Sequence, residues 1–140
     1  MKTFLVLFGA AIALTSCSKK TSTMPINDMF DSTTAVLKYE GIFKKGPYGT
    51  TTGFARIYES NGKLELRLSA FNVSNGPDLK VYLSKEVQPI NFIRLGDLRS
   101  TSGNQSYRIS GVPDFSQFRY ALIHCEQYNH LFGSAELVMQ

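Results

Sequence analysis

From residue 35 onward, apolar and polar side chains alternate with a period of two, the spacing that sends successive residues to opposite faces of a strand. Residues 63–71 carry it most cleanly. Leu64, Leu66, Leu68 and Ala70 fall on one face, and Lys63, Glu65, Arg67 and Ser69 on the other, as in a strand with one buried side. Just upstream, residues 53–59 set Phe54 and Tyr58 against Ala55 and Ile57, and Ser60-Asn61-Gly62 joins the two runs. Asn-Gly suits the paired positive-φ positions of a tight hairpin turn, so an antiparallel hairpin is predicted here.

Further short strands are predicted over residues 35–43, 79–84, 92–95, 105–109, 119–127 and 130–138. They are separated by Lys45-Gly46-Pro47, Asn75-Gly76-Pro77-Asp78, Gly96-Asp97 and Gly111-Val112-Pro113, the residue types that turns require. Residues 119–127 are apolar on both faces, as a central strand is, and residues 114–118 suit one helical or 3₁₀ turn. No 3.6-residue period is sustained after Leu14. About eight short strands at this spacing predict an all-β fold, a single antiparallel β-sandwich or barrel.

The beginning of the chain follows different rules. Lys2 precedes an uncharged apolar run from Phe4 to Leu14. That run is far short of the roughly 20 residues that span a bilayer and matches the hydrophobic core of an export signal. It leads directly into Leu14-Thr15-Ser16-Cys17, which resembles the lipobox of bacterial lipoproteins: an aliphatic residue, a tolerated one, a small one, then cysteine. The resemblance implies cleavage before Cys17 and acylation of its sulfur, and two or more acyl chains anchor stably because each buried CH₂ contributes about 0.8 kcal/mol. The competing reading is an ordinary signal cut after Ala11-Ile12-Ala13. Ser, Thr, Lys, Asn and Asp dominate between Ser18 and Thr34, the composition of a tether. The expected organisation is a lipoprotein signal peptide over 1–16, a lipidated cysteine and flexible tether over 17–34, and a β domain over 35–140. By resemblance to Gram-negative lipoprotein sorting, Ser18 after the cysteine implies delivery to the outer membrane, facing the periplasm.

Charge adds little. The formal net charge of +4 falls to +3 once Lys2 is removed, and no run of Lys or Arg exceeds two. That pattern has no footprint for nucleic acid. A hydrophobic content of 43% is ordinary for a globular chain, and about 105 residues suffice for one core without disulfides.

No zinc-protease, nucleophile-elbow, phosphate-loop or dinucleotide motif is present, and neither C-x-x-C nor C-x-x-C-H occurs. Hydrolase and transferase readings therefore have little support. No metal site is expected, since one Cys and two His stand at unhelpful spacing. The remaining chemistry concerns Cys125. If Cys17 carries lipid, Cys125 is an unpaired thiol in an oxidising compartment; a disulfide between the two requires that Cys17 be free. On a strand, Cys125 shares a face with Ala121 and Ile123, while Tyr120, Leu122 and His124 take the other. His130 lies across the turn 126–129 on a face that depends on the register, which leaves Cys125, His130 and Tyr128 as a candidate cluster. Set against this is the reading of Cys125 as a small buried hydrophobe.

Four segments together resemble the DM13 domain, a small extracytoplasmic β domain. They are Tyr39-Glu40-Gly41-Ile42-Phe43; Phe71 with Gly76-Pro77-Asp78-Leu79-Lys80-Val81-Tyr82-Leu83-Ser84; Leu95-Gly96-Asp97-Leu98 with Gly103-Asn104-Gln105-Ser106-Tyr107-Arg108-Ile109; and Ala121-Leu122-Ile123-His124-Cys125-Glu126-Gln127-Tyr128, closing on residues 132–137. The resemblance implies a redox or electron-transfer role in which Cys125 serves as a thiol or as a ligand to a prosthetic group such as haem. The residue before that cysteine is often aromatic in the family, and here it is His124. Membrane lipid through Cys17 and a protein redox or binding partner are the expected partners. The alternative is a non-catalytic binding or envelope-assembly lipoprotein with Cys125 in its core.

Overall fold

The computed structural model describes residues 21–140; the signal segment and Cys17 lie outside them. Every regular element described is a strand: β1 Ile26–Asn27, β2 Val36–Lys45, β3 Thr51–Ser60, β4 Lys63–Val73, β5 Leu79–Ser84, β6 Phe92–Asp97, β7 Ser102–Ile109, β8 Tyr120–Cys125, β9 His130–Glu136 and β10 Val138–Met139. Among the described residues, no helix is long and apolar enough to cross a membrane.

The strands form one curled sheet in the order β1-β7-β4-β3-β2-β9-β8-β5-β6, with β10 also on β2. β2 makes the curl. Val36 to Ile42 pair with β3, while Phe43 to Lys45 pair with β9, so one strand feeds both halves. The halves close on a single core. Ala55, Ile57, Leu66 and Leu68 come from one side and Val81, Leu83, Ala121, Ile123 and Cys125 from the other. The predicted hairpin is present, with Ser60 opposite Lys63 and both Asn61 and Gly62 at positive φ. Residues 114–118 make one turn, in which the Phe118 amide donates to the Asp114 carbonyl.

Two features differ from the sequence reading. Ala70, expected beside Leu68 in the core, is exposed, and Phe71 is buried instead. A bulge with Ala70 at φ +47° shifts the register against β7 between Leu68 and Phe71, and one extra residue inverts every face beyond it. Residues 22–30, expected to belong to the tether, run along the sheet. β1 pairs parallel with β7, Ile26 opposite Gly103 and Asn27 opposite Asn104, so the sheet is mixed and not purely antiparallel. The Ser22 amide donates to the Arg99 carbonyl, and the Thr101 amide to Ser22. Asp28 is paired with Arg99 and accepts from the Ser106 amide. Phe30 packs on Tyr58 at 4.6 Å between ring centroids and lies under the Arg67 guanidinium.

Candidate functional site

The strand directions gather one set of loops at one end of the molecule. β3, β5, β7 and β9 begin there, and β2, β4, β6 and β8 finish there. Cys125 is the last residue of β8, and the turn 126–129 carries the chain to His130, the first residue of β9. In the register, Cys125 lies opposite both Leu79 of β5 and His130 of β9.

Cys125 itself is wholly buried and belongs to the same core cluster as Ala121, Ile123 and Phe132. The alternation assigned from sequence holds here. Leu122 lies with Tyr82 and Leu131 in a second, smaller cluster on the other face, and His124 is buried there against Tyr82, 5.8 Å between ring centroids. The end above the sulfur is closed by loops. The Thr51 hydroxyl and the Gly46 amide donate to the Phe132 carbonyl, both at 2.8 Å, and the Glu126 amide donates to the Asp78 carbonyl at 3.1 Å. The Phe132 ring lies so close beneath Gly49 and Gly76 that a side chain at either position would strike it.

Of the candidate cluster, the structure brings His130 and Tyr128 to the rim of this end and Cys125 inside it. The His130 ring stacks on Tyr48, with centroids 3.6 Å apart and planes 2° from parallel, and Tyr128 sits 5.9 Å from the same ring. Tyr48 and Tyr128 are both more than half exposed.

The outer face of β5 and β8 carries a charged network that the sequence reading did not assemble. Lys80 lies between Asp78 at 2.5 Å and Asp97 at 2.8 Å. Asp97 also holds Arg94, which reaches Glu126 at 3.1 Å, and Glu126 accepts from the Tyr82 hydroxyl at 2.5 Å. Burial alone would lower the Lys80 pKa, but the two carboxylates outweigh it and raise it. Hydrogen bonding to Lys80 lowers that of Asp97 against its burial, and burial followed by Glu126 raises that of Tyr82. The available signal was a lysine inside Leu79–Ser84, an otherwise apolar strand, because a buried ammonium needs a carboxylate partner. Nearby, His124 Nε2 is 2.9 Å from Asn129 Oδ1 while Nδ1 is buried without a partner. Burial, with a smaller contribution from His130, lowers the His124 pKa against Asn129 and Glu126, which raise it.

These residues do not fit a haem at Cys125. An axial thiolate needs an open face toward the iron and a cavity for the macrocycle, whereas this sulfur is enclosed by side chains. The described cavities of about 350–440 Å³ are lined by other residues. One lies between Phe30, Tyr58 and Leu64, the next along Lys63, Ile109 and Val112, and the third between Arg94, Arg99 and Arg108. Among the described residues, no three His, Cys, Asp or Glu side chains are grouped to hold a metal ion.

A family model described as Electron transfer DM13 matches residues 43–137. The chain belongs to the DM13 electron-transfer family. The matched stretch begins at the end of β2, where the strand joins the half of the sheet that carries Cys125, and ends just after β9. Neither the curated proteins nor the solved structures contain a match to the chain. The DM13 assignment suggests a role related to electron transfer, and it covers both the closed end and the charged network.

Proposed function

We propose that this DM13 domain is an extracytoplasmic redox module held at the membrane by acylated Cys17, with Cys125 as a guarded thiol. The observation that carries the reading is the position of the sulfur. It is fully buried, yet it belongs to the pair that closes a four-residue turn. Reaching it requires only that the turn 126–129 and the loops over Phe132 part, while the long β3–β4 ladder stays intact. Local openings of this kind have smaller free energies than global unfolding. A thiol so placed is protected from adventitious oxidants and becomes available to a partner that opens the end.

The soluble form beginning after Cys17 tests this with a thiol-specific chromogenic reagent. The expected result is slow modification of one thiol in the folded protein, faster than global unfolding measured in parallel, and none in Cys125→Ser. The same preparation is expected to be colourless, in keeping with the lack of room for haem. Modification no faster than global unfolding would instead favour the second reading, a binding or envelope-assembly lipoprotein. The observation on that side is that Cys125 packs with Ala121 and Ile123 as a small hydrophobe does.

A further inference from the structure

The docked N-terminal segment orients the molecule on its membrane, an inference that rests on Cys17 being the anchor. The described chain first engages the domain at Ser22, hydrogen-bonded to Arg99 and Thr101 in the connection between β6 and β7. That connection is at the same end as Cys125. The Val73 amide donates to the Thr101 carbonyl, the Ser74 amide to Thr50, and the Tyr48 amide to Leu131, so Ser22 and the Tyr48–His130 stack belong to one rim. From Cys17 to Ser22 the chain has five residue steps, and in any conformation these reach at most about 18 Å.

The opposite end carries the 85–91 and 110–119 connections. It lies about 25 Å away along β4, allowing for the tilt of strands in a curled sheet, which is farther than the link extends. The rim at the Ser22 end has the chemistry of a membrane interface. Tyr48, Tyr128 and Met24 are 56%, 57% and 73% exposed, and Lys44 and Lys45 are exposed at the end of β2. Exposed tyrosines favour the headgroup zone. Each lysine near anionic lipid contributes about 1 kcal/mol, and Lys19 and Lys20 lie within the link itself.

We propose that the domain stands end-on, with the rim formed by Met24, Tyr48, Tyr128, Lys44 and Lys45 against the bilayer surface. The end that encloses Cys125 then faces lipid, and whatever opens it works in or at the membrane.

The chain contains no tryptophan, so a single introduced indole reports one place. Tyr48→Trp, Tyr128→Trp and Val112→Trp are made in the full-length chain, extracted from membranes after acylation and reconstituted into phosphatidylethanolamine–phosphatidylglycerol vesicles with brominated acyl chains. Flotation is checked first. The expected result is loss of emission at both rim positions relative to unbrominated vesicles and unchanged emission at Val112→Trp, on the far end. Equal or greater quenching at Val112→Trp, or no quenching at either rim position in protein that floats, overturns the orientation and leaves the anchor standing. Protein that fails to float overturns the anchor and the orientation with it.

Discussion

His124 and Cys125 are adjacent in the chain and face opposite sides of β8, so a change at each has a different consequence. At Cys125, replacing sulfur by a hydroxyl puts a polar group of similar size where no partner waits. Cys125→Ser is expected to cost about 1–3 kcal/mol, the usual range for an unsatisfied buried polar group, read as a lowered urea midpoint with an unchanged slope. An unchanged midpoint would mean that water already reaches the site. At His124 the consequence depends on pH. Burial holds the folded ring's pKa below that of the unfolded chain, which is about 6.5. As pH falls below that value, the unfolded chain takes up a proton that the folded one resists, so stability declines; above it both are neutral and stability levels off. His124→Phe keeps a ring and loses the titration, so its urea midpoint is expected to vary less than the parent's between about pH 7 and 5. The lowered pKa values of Asp28 and Asp97 act below about pH 4 and leave this window clear. A parent midpoint that is flat across the window would show that the ring is not held neutral.

Strands bounded by turn residues could be read from sequence, and elements built on backbone contacts could not. Leu79–Ser84 is found with the bounds expected of it, and the faces of β8 are those assigned from spacing. β1 escaped notice because two residues show no period and a parallel pair held by backbone hydrogen bonds imposes none. Its trace in the sequence is on the partner strand, at Gly103, because a glycine inside a strand marks positive φ or close backbone approach, and here it does both. Its φ is +103°, and a Cβ there would collide with the Ile26 carbonyl oxygen. Gly103→Ala therefore forces either strain or release of β1, at a cost of about 2 kcal/mol. The specific readout is the Asp28 amide, which donates to the Asn104 carbonyl at 2.9 Å. Its hydrogen exchange is expected to rise toward that of a free segment while β3 and β4 stay protected. If the amide stays protected in the variant, β1 is not held as described. The bulge at Ala70 was hidden for a related reason, since an alternating run does not show where an extra residue interrupts the pairing.

At the scale of the molecule, the fold class was legible because hydrophobic alternation records burial, while the closure of the curl was not, because it depends on side chains from distant strands. The sheet ends at β6 on one edge, and no hydrogen-bonded pairing joins that edge to β7. Across that gap the Tyr107 ring of β7 lies against Gly96 of β6, while on its paired side the Lys80 network braces β6 against β5 and β8, with Asp97 and Arg94 on β6, Asp78 before β5 and Glu126 after β8. Lys80→Met keeps the side-chain length and removes the charge shared by two carboxylates. Because those carboxylates are about one-third exposed or more, the expected cost is about 2 kcal/mol, below the 3–5 kcal/mol of a fully buried pair. Asp97→Asn in the same chain removes one of the stranded charges, so the double variant is expected to be more stable than the sum of the single losses, the sign of a direct coupling. Since the network also grips the turn beside Cys125, Lys80→Met should raise the rate at which the thiol is modified in folded protein. Strict additivity together with an unchanged thiol rate would mean that the network is a surface decoration and that the closed end owes nothing to it.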